Sequence, residues 1–129
     1  PRGQGSILLV EDEDTVRRFV RSLLERDGYS VTEARDGAEA LERLASPGFR
    51  PDLLLSDVIM PRLGGRELTA MVRRSRPEIS LLLMSGYNEE VFNRGPDPDD
   101  PIRIIQKPFT PHVLSVAIHE LLQSRLEKA

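Results

Sequence analysis

The feature that most constrains this chain is a set of short apolar runs without polar alternation, each followed by a segment of helical periodicity. Ile7-Leu8-Leu9-Val10 and Leu53-Leu54-Leu55 are the clearest runs, while Ile79 to Met84 and Ile102 to Ile105 are further hydrophobic runs interrupted by Ser80 and Arg103. A strand with one wet face alternates polar and apolar residues, so runs of this kind predict strands covered on both faces. Tyr29 to Ala34 adds a shorter β-prone stretch. Between the runs, Val16, Phe19, Val20, Leu23 and Leu24 form the apolar stripe of a helix over 15–27, with Arg17, Arg18, Arg21 and Glu25 outward and Gly28 as its stop. Further helices are predicted from Ala38, Leu41, Leu44 and Ala45, and from Leu68, Met71 and Val72 after Gly64-Gly65. The last begins at Thr110 as cap and Pro111 as first residue, and carries Leu114, Ala117, Ile118, Leu121 and Leu122. Strand and helix alternating in this way predict an α/β fold, a parallel sheet with helices on both faces.

Composition narrows the function classes. The chain has 129 residues, enough for one domain, and residues 1–5 read as linker before a domain spanning 6–127. The missing initiator methionine suggests a piece of a longer polypeptide. There is no cysteine, which excludes disulfides, thiolate metal sites and a thiol nucleophile. No apolar run approaches the roughly 20 residues needed to cross a bilayer, so no membrane contact is expected. The net charge of −3 argues against direct nucleic-acid binding. A cytoplasmic protein is expected.

The apolar runs end in chemistry. The first runs into Glu11-Asp12, the third-strand run into Ser56-Asp57, the fourth into Ser85, and the last into Gln106-Lys107-Pro108. In a parallel α/β sheet, ligands bind beyond the carboxyl ends of the strands, where strand order reverses. All four segments therefore point toward one edge. Carboxylates brought together repel, and a bound cation or a nearby ammonium relieves them, as in sites that handle phosphate.

At these residues the chain resembles the receiver domain of two-component response regulators from Ser6 onward. The resemblance rests on Leu9-Val10-Glu11-Asp12-Glu13, on Leu55-Ser56-Asp57-Val58-Ile59-Met60-Pro61 with Gly65, on Ser85-Gly86, and on Lys107-Pro108-Phe109. Met84-Ser85-Gly86-Tyr87 and Gln106-Lys107-Pro108-Phe109-Thr110 look most like receivers at the C-terminus of hybrid sensor histidine kinases. The resemblance implies a flavodoxin-like, doubly wound five-stranded sheet of order 2-1-3-4-5. It implies a phosphoacceptor domain of a phosphorelay, with Asp57 as nucleophile toward a phosphohistidine of a histidine kinase or histidine phosphotransfer domain. Mg²⁺ would be held by Asp12, Asp57 and the Ile59 backbone carbonyl, with Glu11 acting through a coordinated water. Lys107 would pair with a phosphoryl oxygen and Ser85 would hydrogen-bond another, and the Lys107–Pro108 bond would be cis. Such a domain catalyses its own phosphorylation and dephosphorylation without metabolite turnover, as a monomer or weak dimer.

Simpler readings compete residue by residue. Glu11 to Asp14 could be the acidic start of a helix, which accounts for Glu13 and Asp14 but not for Asp57. Lys107 alone is a surface lysine, and Ser85 alone a turn residue; only together do they make a site. His112 and His119 lack metal-ligand spacing and read as surface or structural, and Tyr87 as packing. The arginines of the first and third helices, Arg73, Arg74 and Arg76 among them, read as solvated faces. An Asp-nucleophile phosphatase would carry a second acid two residues after the nucleophile, where Ile59 stands. A phosphate-independent interaction module with a receiver fold is the alternative function, although no acid, nucleophile or lysine of the pattern is lost. Two departures concern output. Ile104 stands where many receivers carry a switch aromatic, and the proline-rich segment 95–101 puts a fourth helix over 88–94, and dimerisation through it, in question. Phosphorylation is still expected to move the loop after Ser85.

Overall fold

The computed structural model describes residues 4–86 and 102–128, with side chains to residue 124. The expectations for Tyr87, for a helix over 88–94 and for segment 95–101 lie outside the described residues.

The described residues form five strands and four helices, alternating as far as β4: β1 (Ser6–Val10), α1 (Asp14–Arg26), β2 (Ser30–Ala34), α2 (Gly37–Ala45), β3 (Leu53–Asp57), α3 (Gly65–Ser75), β4 (Ser80–Ser85), β5 (Arg103–Gln106) and α4 (Pro111–Lys128). All pairings are parallel, in the order β2-β1-β3-β4-β5. The chain winds outward from β1 to β2, then crosses back to β3 on β1's other side, so the strand order reverses between β1 and β3. The register sets Val10 beside both Ala34 and Ser56, Asp57 beside Met84, and Ser85 beside Gln106. The carboxyl ends of the strands are therefore level.

Absence of alternation in the strands has the expected consequence. Ile7, Leu9, Leu53, Leu55, Leu82 and Met84 pack on one face against Val20, Leu23 and Leu24 of α1 and Leu114, Ala117 and Ile118 of α4. Leu8, Val10, Leu54, Leu81 and Leu83 pack on the other face against Ala40 of α2 and Leu68 and Val72 of α3. Each fully buried leucine contributes about 1.5–3 kcal/mol relative to exposure. The helix ends follow their local signals. Gly28 takes φ 101, a left-handed conformation, and its N–H reaches the Glu25 carbonyl while that of Tyr29 reaches Leu24. Asp36 caps α2 by accepting the Glu39 N–H at 2.9 Å, and Thr110 caps α4 by accepting that of Val113 at 3.1 Å. No helix among the described residues is long and apolar enough to cross a membrane.

Four expectations need correction. Phe19 and Met71, assigned to apolar stripes, are 56% and 39% exposed: each lies at the margin of its helix face, past the edge of what the sheet covers. Arg17, assigned to the outward face, has a side chain only 12% exposed because it is drawn into ion pairs with Asp14 of α1 and Glu33 of β2. Arg76 is likewise half-buried, donating to Glu78 at 2.8 Å. His112 and His119 are exposed, as expected.

Candidate functional site

Glu11 is the first residue after β1, yet its N–H still donates to the Ala34 carbonyl at 3.1 Å, extending the ladder by one residue. That extension holds Glu11 fully buried at the reversal point between β1 and β3. A buried carboxylate must be paired. Its Oε2 accepts the Glu13 N–H at 3.1 Å, and its Oε1 accepts from Lys107 Nζ at 3.0 Å. Asp12 follows in the turn and is exposed. Asp57 ends β3, only 6% exposed, and the next residue stays laddered through Val58 N–H to the Met84 carbonyl.

One carboxylate oxygen each from Glu11, Asp12 and Asp57 lies within 4.8 Å of the others. Lys107 comes from the end of the edge strand β5, where its N–H donates to the Ser85 carbonyl at 2.7 Å and its ammonium reaches inward across β4. The ammonium stands 3.0 Å from Asp57 Oδ1 as an ion pair. Beyond this ion pair, the described residues offer this buried oxygen no hydrogen-bond donor. The peptide bond between Lys107 and Pro108 is cis.

Charge is unbalanced here, with three carboxylates facing one ammonium. Burial pushes the Asp57 carboxyl up from 3.8 to about 7, the charge of Glu11 adds to the rise, and Lys107 pulls against it. Partial burial, then Glu11, raises Asp12 as well. Burial pulls the Lys107 ammonium down, but its contacts with Glu11 and Asp57 outweigh this and leave it raised, firmly protonated. A hard cation with oxygen ligands fits this set. The ligand atoms are all carboxylate oxygens, and Asp57 Oδ1 is a buried acceptor without a hydrogen-bond donor among the described residues. The structure thus brings together Glu11, Asp12, Asp57 and Lys107. Ser85 is buried at the end of β4, with its Oγ donating to the Gly86 carbonyl at 3.2 Å. Ile59 lies in the loop after β3 with its side chain 56% exposed.

Two supports of the site act through contacts that the sequence pattern does not display. Gly65 opens α3 directly beneath the main chain of Asp57: a Cβ there would lie 2.1 Å from the Asp57 carbonyl oxygen. Arg17 donates from Nη1 to the Glu11 carbonyl at 2.8 Å. The spacing of Asp14 and Arg17 is that of a helical ion pair, but nothing local points to the carbonyl behind it. The loop carrying Ile59 is tied down at Arg62, which adopts φ 69 and pairs with Asp36 at 2.7 Å.

The sequence profile described as response regulator receiver domain matches residues 7–119. Among relatives, the chain is 37% identical over 123 residues to the sensor kinase CckA of Brucella abortus, covering 95% of this chain and 13% of that protein. It is 38% identical over 105 residues to the response regulator receiver protein CpdR of the same organism, covering 80% of this chain and 84% of that one. Among solved structures, a response regulator receiver domain protein from Clostridium thermocellum aligns with a TM-score of 0.88 at 23% identity, covering 96% of this chain and 98% of that one. The response regulator TrrA of Thermotoga maritima, crystallised with Mg²⁺ and BeF, aligns with a TM-score of 0.78 at 24% identity, over 90% of this chain and 97% of that one.

Proposed function

Because the chain belongs to the response regulator receiver family, a phosphoacceptor of two-component phosphorelays, we propose that Asp57 is the residue that takes the phosphoryl group. The observation that carries this reading is the convergence of Glu11, Asp12 and Asp57 within 4.8 Å, with the Lys107 ammonium 3.0 Å from Asp57 Oδ1. An Asp57 oxygen attacks the phosphorus of a phosphohistidine. The P–N bond breaks, the imidazole leaves with the electron pair and is protonated, and an acyl phosphate remains. A carboxylate is a poor nucleophile toward an anionic phosphoryl group, so charge must be neutralised in advance.

Lys107 supplies one fixed positive charge, already aimed between Glu11 and Asp57 and able to pair with a phosphoryl oxygen. Asp12, Asp57 and the Ile59 carbonyl are the assigned holders of Mg²⁺. Glu11, with both carboxylate oxygens engaged by Lys107 and Glu13, is assigned contact through water. Magnesium, when bound, supplies the remaining charge neutralisation. Ser85 is assigned a hydrogen bond to the phosphoryl group, and hydrolysis of the acyl phosphate resets the domain.

Receivers in general work with histidine kinases or histidine phosphotransfer proteins. We place this one, residues 6–127 after a linker at 1–5, at the C-terminus of a hybrid sensor kinase. The match to the sensor kinase CckA over 95% of the chain supports this parent. The similar identity to the receiver protein CpdR makes a free-standing regulator the other architecture. A kinase core encoded upstream of Pro1 decides for the first, and its absence for the second.

Incubation with acetyl phosphate and Mg²⁺, followed by intact mass measurement, tests the chemistry. One added phosphoryl group, labile in base and absent in Asp57→Asn, is expected. No adduct, or an adduct that survives Asp57→Asn, sinks the assignment.

A further inference from the structure

We propose that Arg17 is a positioning residue for the cation site, holding the peptide between Glu11 and Asp12 at a fixed orientation toward Asp57. The inference rests on the reading of that site given above. Arg17 lies on α1, yet its side chain is only 12% exposed. Each of three nitrogens has a separate partner: Nη1 donates to the Glu11 carbonyl at 2.8 Å, Nε to Glu33 Oε1 at 3.2 Å and Nη2 to Asp14 Oδ1 at 2.6 Å. Arg21 holds the other Glu33 oxygen, so the β2 carboxylate is itself fixed.

The main-chain target is what separates this from an ordinary ion pair. The Glu11 carbonyl and the Asp12 N–H belong to one planar peptide unit, so fixing one fixes the other. On its opposite side Glu11 is pinned by its N–H bond to Ala34. Arg17 therefore completes a two-sided clamp on the acidic pair, between α1 and the ladder. Asp12 is exposed in a turn, and the orientation of that peptide decides where its carboxylate goes. Groups that orient metal-binding carboxylates from behind typically change affinity 10–100-fold when removed. A planar guanidinium holds a carbonyl and two carboxylates in one fixed geometry; a lysine ammonium, a point charge on a flexible stem, holds them less rigidly.

The test compares Mg²⁺ affinity by calorimetric titration in wild type, Arg17→Met, Arg17→Lys and Arg21→Met, with thermal midpoints measured in chelator. Arg21→Met removes a Glu33 ion pair without touching the Glu11 carbonyl, and so reports the purely structural share. Arg17→Met is expected to weaken Mg²⁺ about tenfold and Arg17→Lys about threefold, while Arg21→Met stays within about twofold of wild type. A folded Arg17→Met with wild-type affinity overturns the proposal, and so does equal weakening in Arg17→Met and Arg21→Met. Should Arg17→Met fail to fold, Arg17→Lys decides by the same criterion. A wild-type protein that binds no Mg²⁺ overturns the site reading beneath it, a separate outcome.

Discussion

Replacing Asp57 by asparagine separates the electrostatics of the site from its chemistry. Without metal the Asp57 carboxyl is raised from 3.8 to about 7, by burial first and by Glu11 second. That gap of roughly three pH units, at about 1.4 kcal/mol each, disfavours the buried carboxylate by up to ~4 kcal/mol relative to the unfolded chain. The folded state holds the proton more tightly, so the contribution to stability is fully present below 3.8 and is lost as pH rises through about 7. Asparagine keeps the size of the side chain and carries no charge. Part of its advantage is returned because Lys107 loses an ion pair while retaining Glu11. We expect Asp57→Asn to be more stable than wild type by ~1–3 kcal/mol near pH 8.5 in chelator, and by under ~1 kcal/mol near pH 4. The chain has no tryptophan, so urea unfolding is followed by far-UV circular dichroism. Adding Mg²⁺ at a hundred times its dissociation constant should return about 2.7 kcal/mol to the wild type and much less to the variant, which lacks a ligand. A gain independent of pH, or a variant less stable than wild type near pH 8.5, refutes the claim that the site is strained by its own charge.

Other perturbations probe the parts separately. Lys107→Met should slow phosphorylation by a small-molecule donor about 100-fold without abolishing Mg²⁺ binding, because it removes a preorganised charge and leaves the carboxylates; quench-flow or mass kinetics in saturating Mg²⁺ read the difference. Gly65→Ala places a methyl 2.1 Å from the Asp57 carbonyl oxygen, so α3 must shift; we expect a loss of about 1–3 kcal/mol in urea unfolding together with a reduced phosphorylation rate. Ser85→Ala should leave the phosphorylation rate within about threefold but suppress the amide chemical-shift changes at Ser85 and Gly86 that a beryllofluoride adduct induces. Shifts that do not move in the wild type dispose of Ser85 as part of the switch.

The α/β class and the shared edge were legible because they depend on local pattern. Leu53-Leu54-Leu55 does not alternate, and the structure covers both its faces. Acids after two such strands cannot be buried midway along them, so Glu11, Asp12 and Asp57 had to lie at the strand ends. The order 2-1-3-4-5 came from family resemblance; periodicity alone permits other orders. Side-chain placement at helix margins was not legible either, and Phe19 and Arg17 show why. Both sit within two residues of each other on α1, and a periodicity rule assigns the phenylalanine inward and the arginine outward. The sheet covers only part of that helix face, leaving Phe19 56% exposed. Meanwhile Glu33 of the neighbouring strand and the Glu11 carbonyl draw Arg17 in.

The sequence by itself determined which residue types stand at the ends of buried strands, since apolar runs and the cost of burying charge are local properties. Tertiary structure alone decided that Lys107 pairs with Glu11 as well as Asp57, and that Asp57 Oδ1 is left without a hydrogen-bond donor among the described residues. It alone decided that Arg17 reaches the Glu11 carbonyl. Those outcomes depend on distances between segments far apart in the chain, and these are set by strand order and register.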